Sequence, residues 1–154
     1  MKSIARVASL VRAPGTSMAR VLLVDDDPAS RLTLQTILRA GGYWVETAAS
    51  AAEAIEKLDQ GEFELVLSDP EMESPGAGFR VLAHARLMDY KPATAILTTE
   101  QSAHLSESTV RRGLPILVET EDVPELLTTV ATLVSQRASK KVKREMRLAG
   151  AAAH

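Results

Sequence analysis

Val21-Leu22-Leu23-Val24-Asp25-Asp26-Asp27-Pro28 is the stretch on which the fold turns. Its four apolar residues come without alternation, the pattern of a strand covered on both faces, as in a parallel sheet. Asp27 then stands where a helix needs an N-cap, and Pro28 at the first helical position, where a missing N–H costs nothing. Leu34, Ile37 and Leu38 supply the apolar stripe of that helix, and Gly41-Gly42 ends it. A strand therefore feeds a helix through a turn made of three carboxylates.

Outward from there the same unit recurs. Residues 43–47 are strand-like, and Ser50 with Glu53 forms a capping box for a helix carrying Ala51, Ala54, Ile55 and Leu58 up to Gln60-Gly61. Phe63, Leu65, Val66 and Leu67 mark a third strand within 62–68, and Phe79, Leu82, Ala83 and Leu87 one face of a helix over 78–88. A fourth strand is expected at 93–98. The helix expected over 101–112 is rich in serine and poor in large apolar groups, hence the least firmly packed element. Residues 115–118 read as a fifth strand, and Asp122 with Glu125 caps a last helix striped by Val123, Leu126, Leu127, Val130, Leu133 and Val134. Five such pairs predict an α/β fold, a doubly wound (βα)5 parallel sheet with helices on both faces. Its flavodoxin-like strand order would be 2-1-3-4-5, and its functional crevice would lie at the carboxyl ends of the strands.

The chain has 154 residues and no cysteine, which excludes disulfides, thiolate metal sites and cysteine nucleophiles. No apolar run reaches the roughly 18 to 20 residues of a membrane-spanning helix, so no membrane contact is expected. The net charge of -2 hides a division. Residues 1–20 carry four basic and no acidic side chains, residues 137–154 six basic ones and Glu145, and the body between them eight basic against nineteen acidic. Such a body repels nucleic acid, which leaves the basic tail as the only place for it.

Residues 1–18, broken at Ala13-Pro14-Gly15, read as a disordered leader or a mis-assigned start with Met18 as the true one. They lack the unbroken apolar core of a signal peptide, and the protein is expected to be cytoplasmic. The folded unit is expected over 19–136. Residues 137–154 put charge where the last helix had apolar groups, and read as a solvated, frayed basic tail extending that helix, too short to be an output domain. His84, His104 and His154 have no second ligand at metal spacing, and Tyr43 and Trp44 read as strand or surface aromatics.

Strand one ends in Asp25-Asp26-Asp27, strand three in Asp69 and strand four in Thr98-Thr99. In the order 2-1-3-4-5, strands one and three are neighbours, which gathers Asp25, Asp26 and Asp69 at one edge of the sheet. Carboxylates held together repel one another unless a cation sits between them. Hard oxygen donors with room for water and phosphate oxygens suit Mg2+. The plainer reading makes Asp27 a helix cap and the others turn residues; for Asp27 alone the plainer reading is preferred.

Val21 to Pro28, then Leu65-Val66-Leu67-Ser68-Asp69, then Ala95-Ile96-Leu97-Thr98 together resemble the receiver domain of two-component response regulators, over about residues 19 to 136. The resemblance implies a phosphorylation switch. Asp69 would be the phosphoacceptor, taking its phosphoryl group from a phosphohistidine on a sensor histidine kinase or a phosphotransfer protein. Asp25, Asp26, Asp69 and the backbone carbonyl of Glu71 would hold Mg2+. Thr98 would turn its hydroxyl to the new phosphate and relay the change to the face around the fourth helix and fifth strand, where a downstream protein or a second copy would dock. Such a domain is a phosphoacceptor and switch, not an enzyme beyond its own phosphorylation and dephosphorylation.

The sequence also departs from that family. The lysine expected at the end of strand five is replaced by Glu119, in Leu117-Val118-Glu119-Thr120, and a like charge beside a phosphoaspartate should cost about 2 to 4 kcal/mol. After Asp69, Pro70 comes first and brings no N–H, Met72 is followed by Glu73, and Gly78 arrives one residue late. Ile116 stands where many receivers place an aromatic. The alternative is thus a pseudo-receiver that binds proteins without phosphorylation. A third reading, a haloacid-dehalogenase-like phosphatase, would use Asp25-x-Asp27, but Pro28-Ala29 follows and the expected threonine is missing.

Overall fold

A computed structural model of the protein describes residues 19–99 and 113–152. The elements run β1 (Arg20–Val24), α1 (Pro28–Ala40), β2 (Trp44–Ala48), α2 (Ala51–Gln60), β3 (Leu65–Ser68), α3 (Ala77–Arg86), β4 (Ala93–Thr99), β5 (Ile116–Glu119) and α4 (Val123–Ala152). The helix expected over 101–112, with His104, lies outside the described residues, as do 1–18 and His154. The strands form one parallel sheet in the order β2-β1-β3-β4-β5, as the apolar runs predict.

Strand side chains alternate between two separate cores. Val21, Leu23, Leu65, Leu67, Ala95, Leu97 and Leu117 pack on one face against Leu34 and Leu38 of α1 and Leu126, Leu127, Val130 and Leu133 of α4. Leu22, Val24, Val66 and Ile96 pack on the other against Ala51, Ala54 and Leu58 of α2 and Val81, Leu82 and Ala85 of α3. Each fully buried leucine contributes about 2 to 3 kcal/mol, so the unbroken apolar strands are what hold two helical layers to one sheet.

The caps follow the sequence. Asp27 accepts from the Ser30 N–H at 3.2 Å ahead of Pro28, Ser50 from the Glu53 N–H at 3.2 Å, and Asp122 from the Glu125 N–H at 3.1 Å. Glu53 reaches back one residue further than a capping box requires, to the Ala49 N–H at 3.0 Å.

Several boundaries and burials differ from expectation. Phe63 is buried but precedes β3, because Glu64 N–H bonds to Arg20 and only Leu65 joins the ladder. Tyr43 is a core residue, 2 % exposed, while Trp44 on the edge strand is 58 % exposed. The last helix does not fray after residue 136: it continues to Ala152. Ala, Lys, Arg, Met and Glu are strong helix formers, and the extension stays helical although its side chains from Ala138 onward face solvent. No helix among the described residues is long and apolar enough to cross a membrane.

Candidate functional site: an acidic pocket at the carboxyl end of the sheet

Neighbouring strands β1 and β3 end side by side, with Val24 opposite Ser68, so the residues after them meet. Asp25, Asp26 and Asp69 each bring a carboxylate oxygen to within 4.8 Å of one another. Asp25 is 2 % exposed, Asp26 is exposed and Asp69 half-buried, so the group opens to solvent on one side. Asp27 points away, capping α1.

Backbone donors fix the carboxylates. Asp25 Oδ1 accepts from the Asp27 N–H at 3.0 Å, and Asp69 Oδ1 from the Glu71 N–H at 2.9 Å. Pro70 cannot donate, and the next residue does so instead. Burial first, and then the charges of Asp25 and Asp26, push the Asp69 carboxyl from its ordinary 3.8 up to about 6, against the pull of the Glu71 donor. A half-buried carboxylate with a raised pKa beside two other carboxylates is a group that a divalent cation would relieve. The donor set fits Mg2+.

Glu119 closes the pocket from β5. Its carboxylate lies 3.4 Å from the Ser30 hydroxyl at both oxygens. Burial and the charge of Asp25 raise its pKa, and the Ser30 hydroxyl opposes them. Thr98, half-buried on β4, donates its hydroxyl to the Thr99 carbonyl at 3.3 Å. Thr99 stands opposite Glu119 in the ladder.

Three residues around the pocket carry no signal in the sequence motifs. Arg31 Nη1 donates to the Asp25 carbonyl at 2.8 Å and ties α1 to the turn after β1. Ser30 fixes Glu119. Glu73 accepts from the Ala51 N–H at 3.0 Å, tying the loop after β3 to the start of α2. Gly78, one residue late by motif spacing, sits where α3 crosses the strand end: a Cβ there would lie 1.7 Å from the Asp69 carbonyl oxygen. Only glycine allows that approach, and the helix thereby clamps the Asp69 backbone. His84 Nε2 pairs with Asp59 Oδ1 at 2.7 Å on the surface between α3 and α2, away from the pocket.

The strand order with an acidic cluster at the ends of β1 and β3 defines a class, flavodoxin-like α/β proteins with their candidate site at the carboxyl edge of the sheet. The family model of the response regulator receiver domain matches residues 21–130, and the chain belongs to that family. It is 36 % identical over 116 residues to the gliding motility regulatory protein of Myxococcus xanthus, covering 74 % of this chain and 14 % of that one, so it spans a small part of that relative's length. The response regulator TrrA of Thermotoga maritima, solved in complex with Mg(2+)-BeF, superposes with a TM-score of 0.65 at 29 % identity, over 75 % of this chain and 99 % of its own. The chemotaxis response regulator CheY4 of Vibrio cholerae gives 0.63 at 33 % identity, over 77 % and 99 %. Receiver domains are signalling switches that bind Mg2+ and interact with histidine kinases and phosphotransfer proteins. The family assignment sets the phosphatase reading aside.

Proposed function

We infer that Asp69 is the phosphoacceptor of a Mg2+-dependent receiver, and the observation that carries this is the meeting of Asp25, Asp26 and Asp69 within 4.8 Å at the ends of β1 and β3. A carboxylate oxygen of Asp69 attacks the phosphorus of a phosphohistidine on a sensor histidine kinase or phosphotransfer protein. The new O–P bond forms as the P–N bond breaks, and the bonding pair returns to the imidazole. The Glu71 N–H holds the attacking carboxylate in one orientation, which limits the entropy lost on reaching the transition state. Asp25, Asp26, Asp69 and the Glu71 carbonyl would hold Mg2+, which when bound offsets the charge on the transferring phosphoryl oxygens.

Thr98 then reorients toward the phosphate and relays the change along β4 to the face around β5, where a downstream protein or a second copy docks. Glu119 is the residue that tunes the switch. Its charge faces the same pocket and shortens the life of the phosphoaspartate. The receiver unit spans 19–136, the basic stretch from 137 extends its last helix to Ala152, and the domain works in the cytoplasm.

The test is to incubate the protein with Mg2+ and acetyl phosphate or a phosphorylated kinase, and to look for an acid-stable, hydroxylamine-labile adduct. Its appearance in the wild type and absence in Asp69→Asn is expected. Absence with every donor overturns the reading in favour of a pseudo-receiver that signals through protein contacts alone.

A further inference from the structure

At the opposite, amino-terminal end of the sheet a cleft of about 270 Å³ opens between the start of β4, the loop before β5 and the outgoing part of α4. Five cationic side chains, Arg86, Lys91, Arg137, Lys140 and Arg144, line it, and among the described residues no carboxylate does. None of the five is in an ion pair among the described residues. Such a gathering of like charges raises the local potential and draws anions to the cleft.

The helix supplies one wall by its periodicity. Leu133, Gln136, Arg137, Lys140 and Arg144 recur at intervals of three and four, so one face of α4 passes from an apolar residue seated on the sheet to a row of cations beyond it. The facing wall is built rather than loose. Arg137 Nε and Nη2 donate to the carbonyls of Lys91 at 3.1 Å and Tyr90 at 2.7 Å, Arg86 Nε donates to Thr94 Oγ1 at 3.4 Å, and Lys91 Nζ donates to the Arg86 carbonyl at 3.2 Å. These bonds position the cations, but carbonyl and hydroxyl groups carry no charge to balance them, and Arg137 has used two of its five N–H donors. Lys91 also holds φ at 45°, a left-handed conformation that a lysine adopts at a cost in strain. Buried Leu133 and Pro92 add an apolar floor to the lining.

We propose that this cleft binds a small oligophosphate anion, an inorganic polyphosphate or the phosphate chain of a nucleotide. Three guanidinium groups favour the planar, paired recognition of phosphate oxygens over a single point charge. The volume suits a small molecule. The site shares no residue with the acidic pocket, and the proposal is independent of phosphorylation at Asp69.

The experiment is calorimetric titration of the full chain at physiological salt, with EDTA present so that no metal bridges the ligand to the carboxylates. Inorganic triphosphate and ATP are titrated separately, with sulfate as the control anion. Binding of triphosphate more tightly than sulfate is expected, with amide shifts at Lys91–Thr94 and Gln136–Arg144. Lys140→Glu with Arg144→Glu, on the exposed part of the helix, should weaken it by about ten-fold or more while leaving the fold unchanged. Asp69→Asn should bind as the wild type does. Equal affinity for triphosphate and ATP assigns the site to the phosphates alone, and tighter ATP adds the apolar floor. The proposal is overturned if triphosphate binds no better than sulfate, if the double variant binds it unchanged, or if only duplex DNA binds the face.

Discussion

The two ends of one sheet carry opposite charge. At the carboxyl end Asp25, Asp26, Asp69 and Glu119 gather at the strand ends; at the amino end five cations face a cleft with no acid among its described walls. Strand β4 joins the two, with Thr94 among the cations and Thr98 near the acids. Four residues of strand separate them by roughly 13 Å, more than one and a half times the roughly 8 Å over which physiological salt screens exposed charges. The acids come from residues next to strand ends and are aligned by parallel pairing alone. The cations come from three segments, the end of α3, the loop after it and the outgoing helix, and meet only through packing.

The largest effect should come from the clamp under the acidic end. Gly78→Ala forces a Cβ into the Asp69 carbonyl and should destabilise the protein by about 2 to 3 kcal/mol, read by urea unfolding. An unchanged midpoint would mean that α3 does not press on the strand end. Next, Asp25→Asn removes the most buried charge of the pocket and should weaken Mg2+ binding by about ten-fold, or about 1.4 kcal/mol, by calorimetry.

Glu119→Lys brings the sign of the basic end into the acidic one. It should raise the steady-state phosphorylated fraction several-fold, by relieving like charge beside the phosphate, and weaken Mg2+ binding at the same time. An equal fraction would show that Glu119, held by Ser30, does not reach the phosphate. The smallest effect is on pH. Because the folded pKa of Asp69 is about 6 and its ordinary value 3.8, the folded state keeps the proton longer. The metal-free protein should therefore lose stability as pH rises from about 4 to 6, a slope that Asp69→Asn and saturating Mg2+ both flatten. A stability that rises through that window would contradict the burial of Asp69.

The acidic end was legible in the sequence because parallel strands carry a local signature. Four apolar residues followed by Asp25-Asp26, and three followed by Ser68-Asp69, place carboxylates at strand ends by local pattern alone. What Glu119 touches was not legible: its partner Ser30 lies 89 positions away and reaches it only because β5 and α1 share a face. The burial of Tyr43 was missed because an aromatic beside a glycine pair looks the same in a turn or a core. The basic cleft left no trace, since Arg86 and Lys91 vanish into the charge of an acidic body and the helical residues into a tail read as frayed. A charge tally along the chain cannot sum what packing brings together.

The most direct test of the switch account is to locate the adduct itself. After phosphorylation with Mg2+ and acetyl phosphate, borohydride reduction converts an acyl phosphate on aspartate to homoserine, which peptide mass spectrometry reads by position. The account predicts homoserine at residue 69, absent when Mg2+ is chelated. No homoserine at any position with every donor tried, or conversion at another aspartate with residue 69 intact, would contradict it.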